Sequence, residues 1–159
     1  MTFDKQVENP LLIGAIEVMK KEPTVEHKQD FIEQMLRAQF MSPVIVTPEP
    51  VQNEEGEWQV SAENPGLQFP TVVNKEGDKQ YFLAFTDKEE MDKWESVRGM
   101  HTYTCTFEDY FLMLLKRNET SSNIPVSGFV INPKGCNLMV DKDMMINLFV
   151  RKRPPKPKK

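Results

Sequence analysis

The sequence predicts an α+β domain: about five helices packed on a mixed, partly antiparallel sheet of five to six strands. Three observations carry that reading. Apolar residues recur at three- and four-residue spacing in several stretches, and alternate or run together over shorter ones. Polar, glycine-bearing links such as residues 74–78 join neighbouring strand-like stretches, which favours hairpins. Apolar and charged contents of 39% and 28% over 159 residues suit one core of ordinary size. Because helical and strand-like stretches also alternate along the chain, an α/β layered sheet is the close rival.

The elements follow in order. Asn9 is a helix cap and Pro10 a first helical residue whose missing N–H costs nothing. Leu11, Leu12, Ala15, Ile16 and Met19 then form one apolar stripe, and Pro23 ends the helix. Thr24 caps a second helix with its stripe on Val25, Phe31, Ile32, Met35, Leu36 and Phe40, so residues 9–40 read as a helical hairpin. Pro43–Thr47 is a strand with its proline at the start. After a polar loop, Glu57–Ser61, Phe69–Val73 and Gln80–Phe85 are further strands. Thr86 and Glu89 have the spacing of a capping box for a third helix over Met91, Trp94 and Val97, which Gly99 ends. Thr102–Cys105 is β-rich. Thr106 caps a helix with Phe107, Tyr110, Phe111, Leu114 and Leu115 inward. Val126–Ile131 reads as a central strand, residues 132–135 as a tight turn, and Leu138–Val140 as a returning strand. Asp141 caps a last helix carrying Met144, Met145, Leu148 and Phe149.

Charge is unevenly spread. The last nine residues carry six cations, Arg151, Lys152, Arg153, Lys156, Lys158 and Lys159, and no acid. The remaining 14 basic and 24 acidic residues leave residues 1–150 at −10. The expected organisation is therefore one globular domain, 1–150, and an extended basic tail, 151–159. No apolar run reaches the roughly 20 residues of a membrane span, and the first residues lack the pattern of a secretion signal, so a cytoplasmic location is expected.

Four features in this order resemble one family. They are Asn9 before an apolar helix, a phenylalanine-bearing second helix leading into Pro43-Val-Ile-Val, the corner Leu83-Ala-Phe-Thr-Asp-Lys-Glu-Glu-Met-Asp-Lys-Trp94, and the strand and turn Gly128-Phe-Val-Ile-Asn-Pro-Lys-Gly135. Together they resemble the SseB-type family, named for enhanced serine sensitivity, over roughly residues 9–150. The resemblance implies a compact domain of a bacterial cytoplasm and brings no activity, ligand or catalytic residue with it.

Chemistry-bearing side chains are sparse. His27 lies among charges on an amphipathic helix and reads as a solvated residue. His101 and Cys105 share a strand face if residues 101–105 are extended, the one arrangement that would give a reactive thiolate; a plain alternating strand is the other reading. Cys105 and Cys136 read as reduced thiols, buried as small apolar groups or meeting as a pair. Four scattered histidines and cysteines do not make a zinc site, and no glycine-rich loop leads into a helix to cradle phosphate, so neither a metal nor a cofactor is expected. Glu54–Glu55 and Glu89–Glu90 read as loop and cap charges. Met144 and Met145 belong to a core stripe, or else to a partner groove or dimer seam.

Three functions follow. The first is a non-catalytic interaction or regulatory domain with a protein partner. The second is a small enzyme using a cysteine thiol. The third is weak, salt-sensitive contact of the tail cations with nucleic acid or anionic lipid, without base readout because no aromatic is interleaved; a merely solubilising tail is its plain counterpart. The sequence assigns no catalytic residue and no oligomeric state.

Overall fold

A computed structural model describes residues 3–47, 51–59, 66–120 and 125–152. In chain order they form α1 (Pro10–Lys21), α2 (Val25–Arg37), β1 (Phe40–Thr47), β2 (Val51–Gln52), β3 (Trp58–Gln59), β4 (Gly66–Gln68), β5 (Thr71–Val73), β6 (Gln80–Ala84), α3 (Lys88–Asp92), β7 (His101–Cys105), α4 (Phe107–Thr120), β8 (Val126–Ile131), β9 (Leu138–Asp141) and α5 (Lys142–Lys152). The fold is α+β. Its strands divide into a three-stranded sheet, β4-β1-β7, a four-stranded sheet, β5-β6-β8-β9, and a small β2-β3 ribbon. Every pairing is antiparallel except β6 with β8. A bridge between Met41 and Phe85 stitches the two larger sheets together.

Two prolines explain where the strands depart from the sequence reading. The stretch Phe69–Val73 is not one strand: Pro70 lacks a ladder donor, so β4 ends at Gln68 on β1 and β5 begins at Thr71 on β6. Pro43 lies inside β1 rather than at its start. Met41 spends its N–H and carbonyl on Phe85, so the pleat aims Pro43's nitrogen the same way. Pairing with β4 starts only at Ile45. The proline thus sits between two pairings, where no donor is needed.

Helix ends also differ in detail. Thr24 caps α2 as expected, its hydroxyl accepting from the His27 N–H at 3.1 Å. Asn9 precedes α1 but makes no side-chain cap. Asp87, not Thr86, caps α3, accepting the Glu90 N–H at 2.9 Å. That helix stops at Asp92 and the chain turns through Trp94 and Val97 to Gly99 (φ +86°). Asp141 closes β9, and its carboxylate accepts the Tyr81 hydroxyl at 3.2 Å. α5 runs on to Lys152, past the expected boundary at Arg151, because the first disfavoured residue is the one before Pro154.

The main core lies between α1, α2, α4 and α5 and the sheets. Tyr110 of α4 stacks on Phe129 of β8, centroids 4.8 Å apart, with Phe40 and Phe107 edge-on or tilted around them. Its buried hydroxyl donates to the Leu83 carbonyl at 2.8 Å, so the ring joins α4 to both central strands. Gly128 is required in β8: its φ is +153°, and a Cβ there would run into the Val140 carbonyl of β9. Phe3 forms a smaller cluster with Val44 and Val46, fixing the N-terminal segment to the first sheet.

Candidate functional site

The thiols come first, because one functional reading rests on them. Both cysteines are free, so they do not pair. Cys105 is almost wholly buried, and burial, helped by the Asp109 carboxylate, pushes its thiol up to about 12. Burial likewise raises Cys136, against the pull of Lys20. Neither environment makes a thiolate at neutral pH. His101 does not serve Cys105: four extended residues separate their backbones by about 13 Å, and the His101 ring is bound elsewhere. His27 points its Nδ1 to the Glu22 carbonyl at 2.6 Å.

The His101 partner is Asp4, 97 residues away, with Nδ1 and Oδ2 2.8 Å apart. Asp4 stands in the left-handed region (φ +64°), its N–H donating to the Thr102 carbonyl at 3.0 Å and its Oδ1 accepting the Thr102 N–H at 2.9 Å. This clamp holds the N-terminal segment against the edge of β7. It also lines a cleft of about 670 Å³ with Met41, Met91, Lys88 and Arg98. A histidine oriented by a carboxylate is half of an acid–base device. The described lining holds no serine or cysteine, its one hydroxyl residue, Thr102, is buried, and the Arg98 guanidinium is turned onto the Asp92 carbonyl through Nε at 3.0 Å and Nη2 at 2.8 Å. Nothing local in the sequence announced Asp4, since its role depends on a contact across the whole chain.

A second polar group lies where the parallel strands β6 and β8 end side by side. Asn132, buried and left-handed (φ +47°), accepts the Thr86 N–H on Oδ1 at 3.0 Å and donates to Thr86 Oγ1 at 2.9 Å. Thr86 Oγ1 in turn donates to Asp87 Oδ2 at 2.9 Å. Asn9 Nδ2 donates to the Gln39 and Thr86 carbonyls, each at 2.8 Å. The carboxyl ends of parallel strands are a usual place for ligands. Here the polar atoms are used on one another, and they tie α1, the end of α2 and both strand ends into one knot.

The third feature is apolar. α1 buries Leu12 and Ile16 but is apolar over most of its circumference. Leu11 is 72% exposed and Val18 45%, and with the half-buried Gly14 and Ala15 between them they form a second stripe, of which Ala15 also packs against the main core. This stripe and the α2 residues His27, Asp30 and Gln34 wall a groove, with Val25 of α2 exposed at 71% nearby. Gly14 stands in the helix interior, where it costs about 1 kcal/mol relative to alanine. A Cβ there would meet nothing within 4 Å, so packing within the chain does not require the glycine. The sequence pattern sets Leu11 on the core stripe, whereas in the structure Leu12 and Ile16 are buried and Leu11 is exposed.

Of the tail cations, Arg151 and Lys152 close α5 and Arg153, Lys156, Lys158 and Lys159 lie outside the described residues. No helix of the described residues is long and apolar enough to cross a membrane. Among them, no three His, Cys, Asp or Glu side chains gather to hold a metal ion.

A small α+β domain with a knotted strand-end junction and an open apolar helix face is thus the class of protein in hand. Over residues 12–145 the chain matches the SseB protein N-terminal domain, and it belongs to that family. The junction residues Thr86, Asp87 and Asn132 fall inside the matched span, as do His101 and Thr102, whereas Asn9 and Asp4 precede it. No curated protein and no solved structure matches the chain.

Proposed function

We propose that the domain is a non-catalytic protein-interaction module of the bacterial cytoplasm, docking its partner on the outer face of the α1–α2 hairpin. One observation carries this reading: α1 presents a second apolar stripe whose large end residues, Leu11 and Val18, stand exposed beside the groove along α2. Burying such residues in a partner yields roughly 25 cal/mol per Å² of apolar surface, which water otherwise withholds. The raised thiols, Cys105 buried and Cys136 half-buried, and the mutually satisfied polar groups support a binding role over a thiol-dependent enzyme.

The test is affinity purification of the tagged protein from its host. The expected result is a stoichiometric protein partner retained by the intact chain and by a form lacking residues 151–159, and lost by the double variant Leu11→Asp/Val18→Asp. Retention by the double variant would remove the hairpin face from the reading. Recovery of nucleic acid or anionic lipid by the intact chain alone, weakening with salt, would shift the function to the tail cations, with Arg151 and Lys152 continuing α5 into that segment.

A further inference from the structure

We infer that the partner on this face is a second copy of the same chain, its α1 crossing the first antiparallel about a two-fold axis between Gly14 and Ala15. The inference rests on the docking face proposed above and names its occupant. Three observations single out a copy over an unrelated helix.

The first is the order of sizes along the stripe. Leu11, Gly14, Ala15 and Val18 run large, small, small, large, with equal steps on either side of the centre. A two-fold contact is self-complementary: what one subunit offers at one end must fit what it offers at the other. Antiparallel crossing at the centre sets Leu11 beside the partner's Val18, and Gly14 beside the partner's Ala15. Each large side chain reaches over the small residues of the facing helix.

The second is Gly14 itself. It weakens the helix in which it stands, and its missing side chain leaves empty space in the isolated chain. Interaxial distance between packed helices is set by the side chains at the crossing point. A glycine and an alanine at that point allow the closest approach, so the copy supplies the reason for the glycine that the chain's own packing does not.

The third is charge. Under the same two-fold relation Glu8, just before α1, falls near the partner's Lys21, at the last residue of α1. Both are exposed, and neither carries an ion pair among the described residues. The symmetry makes two such pairs per dimer, at the rim of the apolar contact.

One short helix pair is a small interface, at or below the lower end of the range of about 1,200–2,000 Å² for stable complexes. The dimer should therefore be weak, with a dissociation constant on the order of 10–100 µM. Sedimentation equilibrium of the full chain from about 10 µM to 1 mM, at low salt, reads it directly. The wild type is expected to pass from monomer to dimer across that range. Gly14→Leu should weaken association at least ten-fold while the monomer folds as well as before, because its side chain enters space that is open in the single chain. Lys21→Glu should weaken association and Glu8→Lys/Lys21→Glu should restore it, a rescue that a symmetric contact requires. A wild type that stays monomeric to 1 mM, or a dimer indifferent to Gly14→Leu, overturns the inference. If the monomeric wild type still captures a different protein, and Leu11→Asp/Val18→Asp abolishes that capture, the docking face stands and only its occupant is wrong.

Discussion

Replacing Asn132 tests whether the knot at the ends of β6 and β8 holds the fold. Asn132→Gly keeps the left-handed backbone (φ +47°) free of strain but deletes both side-chain bonds to Thr86, at 3.0 and 2.9 Å. The Thr86 N–H is then buried without its acceptor, which costs about 1–3 kcal/mol. Asn132→Ala suffers the same loss and adds the left-handed penalty of roughly 1–2 kcal/mol for a residue with a Cβ. The expected order is wild type, then glycine about 2 kcal/mol lower, then alanine about 3–4 kcal/mol lower. Asn132→Asp keeps the acceptor for Thr86 but sets a carboxylate against Thr86 Oγ1, whose hydrogen is committed to Asp87. Burial favours the protonated carboxyl, which can donate where the amide did, so this variant should regain stability as pH falls below its raised folded-state value. Urea unfolding followed by far-ultraviolet circular dichroism measures all three. Equal losses for glycine and alanine would refute the backbone part of the argument. A glycine variant within 0.5 kcal/mol of wild type, a loss of the size expected for a neutral surface change, would refute the hydrogen-bond part.

Other outcomes can be checked beside it. Gly128→Ala forces a methyl into the Val140 carbonyl and should cost about 3 kcal/mol or more, seen as loss of soluble folded protein or of the β8–β9 amide protection. Phe3→Ala empties a buried site against Val44 and Val46 and should cost about 3 kcal/mol by urea midpoint, so a fragment beginning at residue 12 should be less stable than the full chain. Cys105 and Cys136 should react with iodoacetamide at pH 8 far more slowly in the folded than in the unfolded protein; fast labelling of either would revive a thiol function. Because the Cys105 thiol is raised to about 12 in the fold, its contribution is complete below the ordinary thiol value and drains away as pH climbs toward 12. Stability should then fall by up to about 1.4 kcal/mol per pH unit from that group above pH 9, and Cys105→Ala should flatten the fall.

The fold was legible wherever a single local cause decides. Pro10 and Thr24 start helices, the Asn74 turn with Gly77 at φ +75° makes the β5–β6 hairpin, and the apolar run Val126–Ile131 takes a central position. It was less legible where two local signals compete for one residue. Thr86 has the spacing of a cap, yet its hydroxyl and N–H go to Asp87 and Asn132, and the neighbouring Asp87 caps α3 instead. Asn9 has the composition of a cap but bridges two carbonyls from α2's end and β6's corner. In both cases a long-range partner takes the side chain from the cap, and for Thr86 that partner, Asn132, is buried, where water cannot replace it. Asp4 and His101 were invisible as a pair because no periodicity links residues 97 apart.

The α1 face shows how a correct period can still assign the wrong side. Leu11, Leu12, Ile13, Ala15, Ile16, Val18 and Met19 occupy so much of the helix circumference that spacing alone fits more than one stripe. The fold uses Leu12 and Ile16 and leaves Leu11 and Val18 outside. A helix that is apolar nearly all round belongs in an interior, and this one has an interior on one side only. The sequence therefore held a signal that periodicity discards: more apolar surface on α1 than one core face can take, with a glycine at the middle of the excess. Gly14 and the exposed pair around it ask for a second surface in the same way that an unpaired buried donor asks for an acceptor. That surplus, together with a matched Glu8 and Lys21 at its two ends, is the ground on which the proposed partner is placed on the outer side of α1.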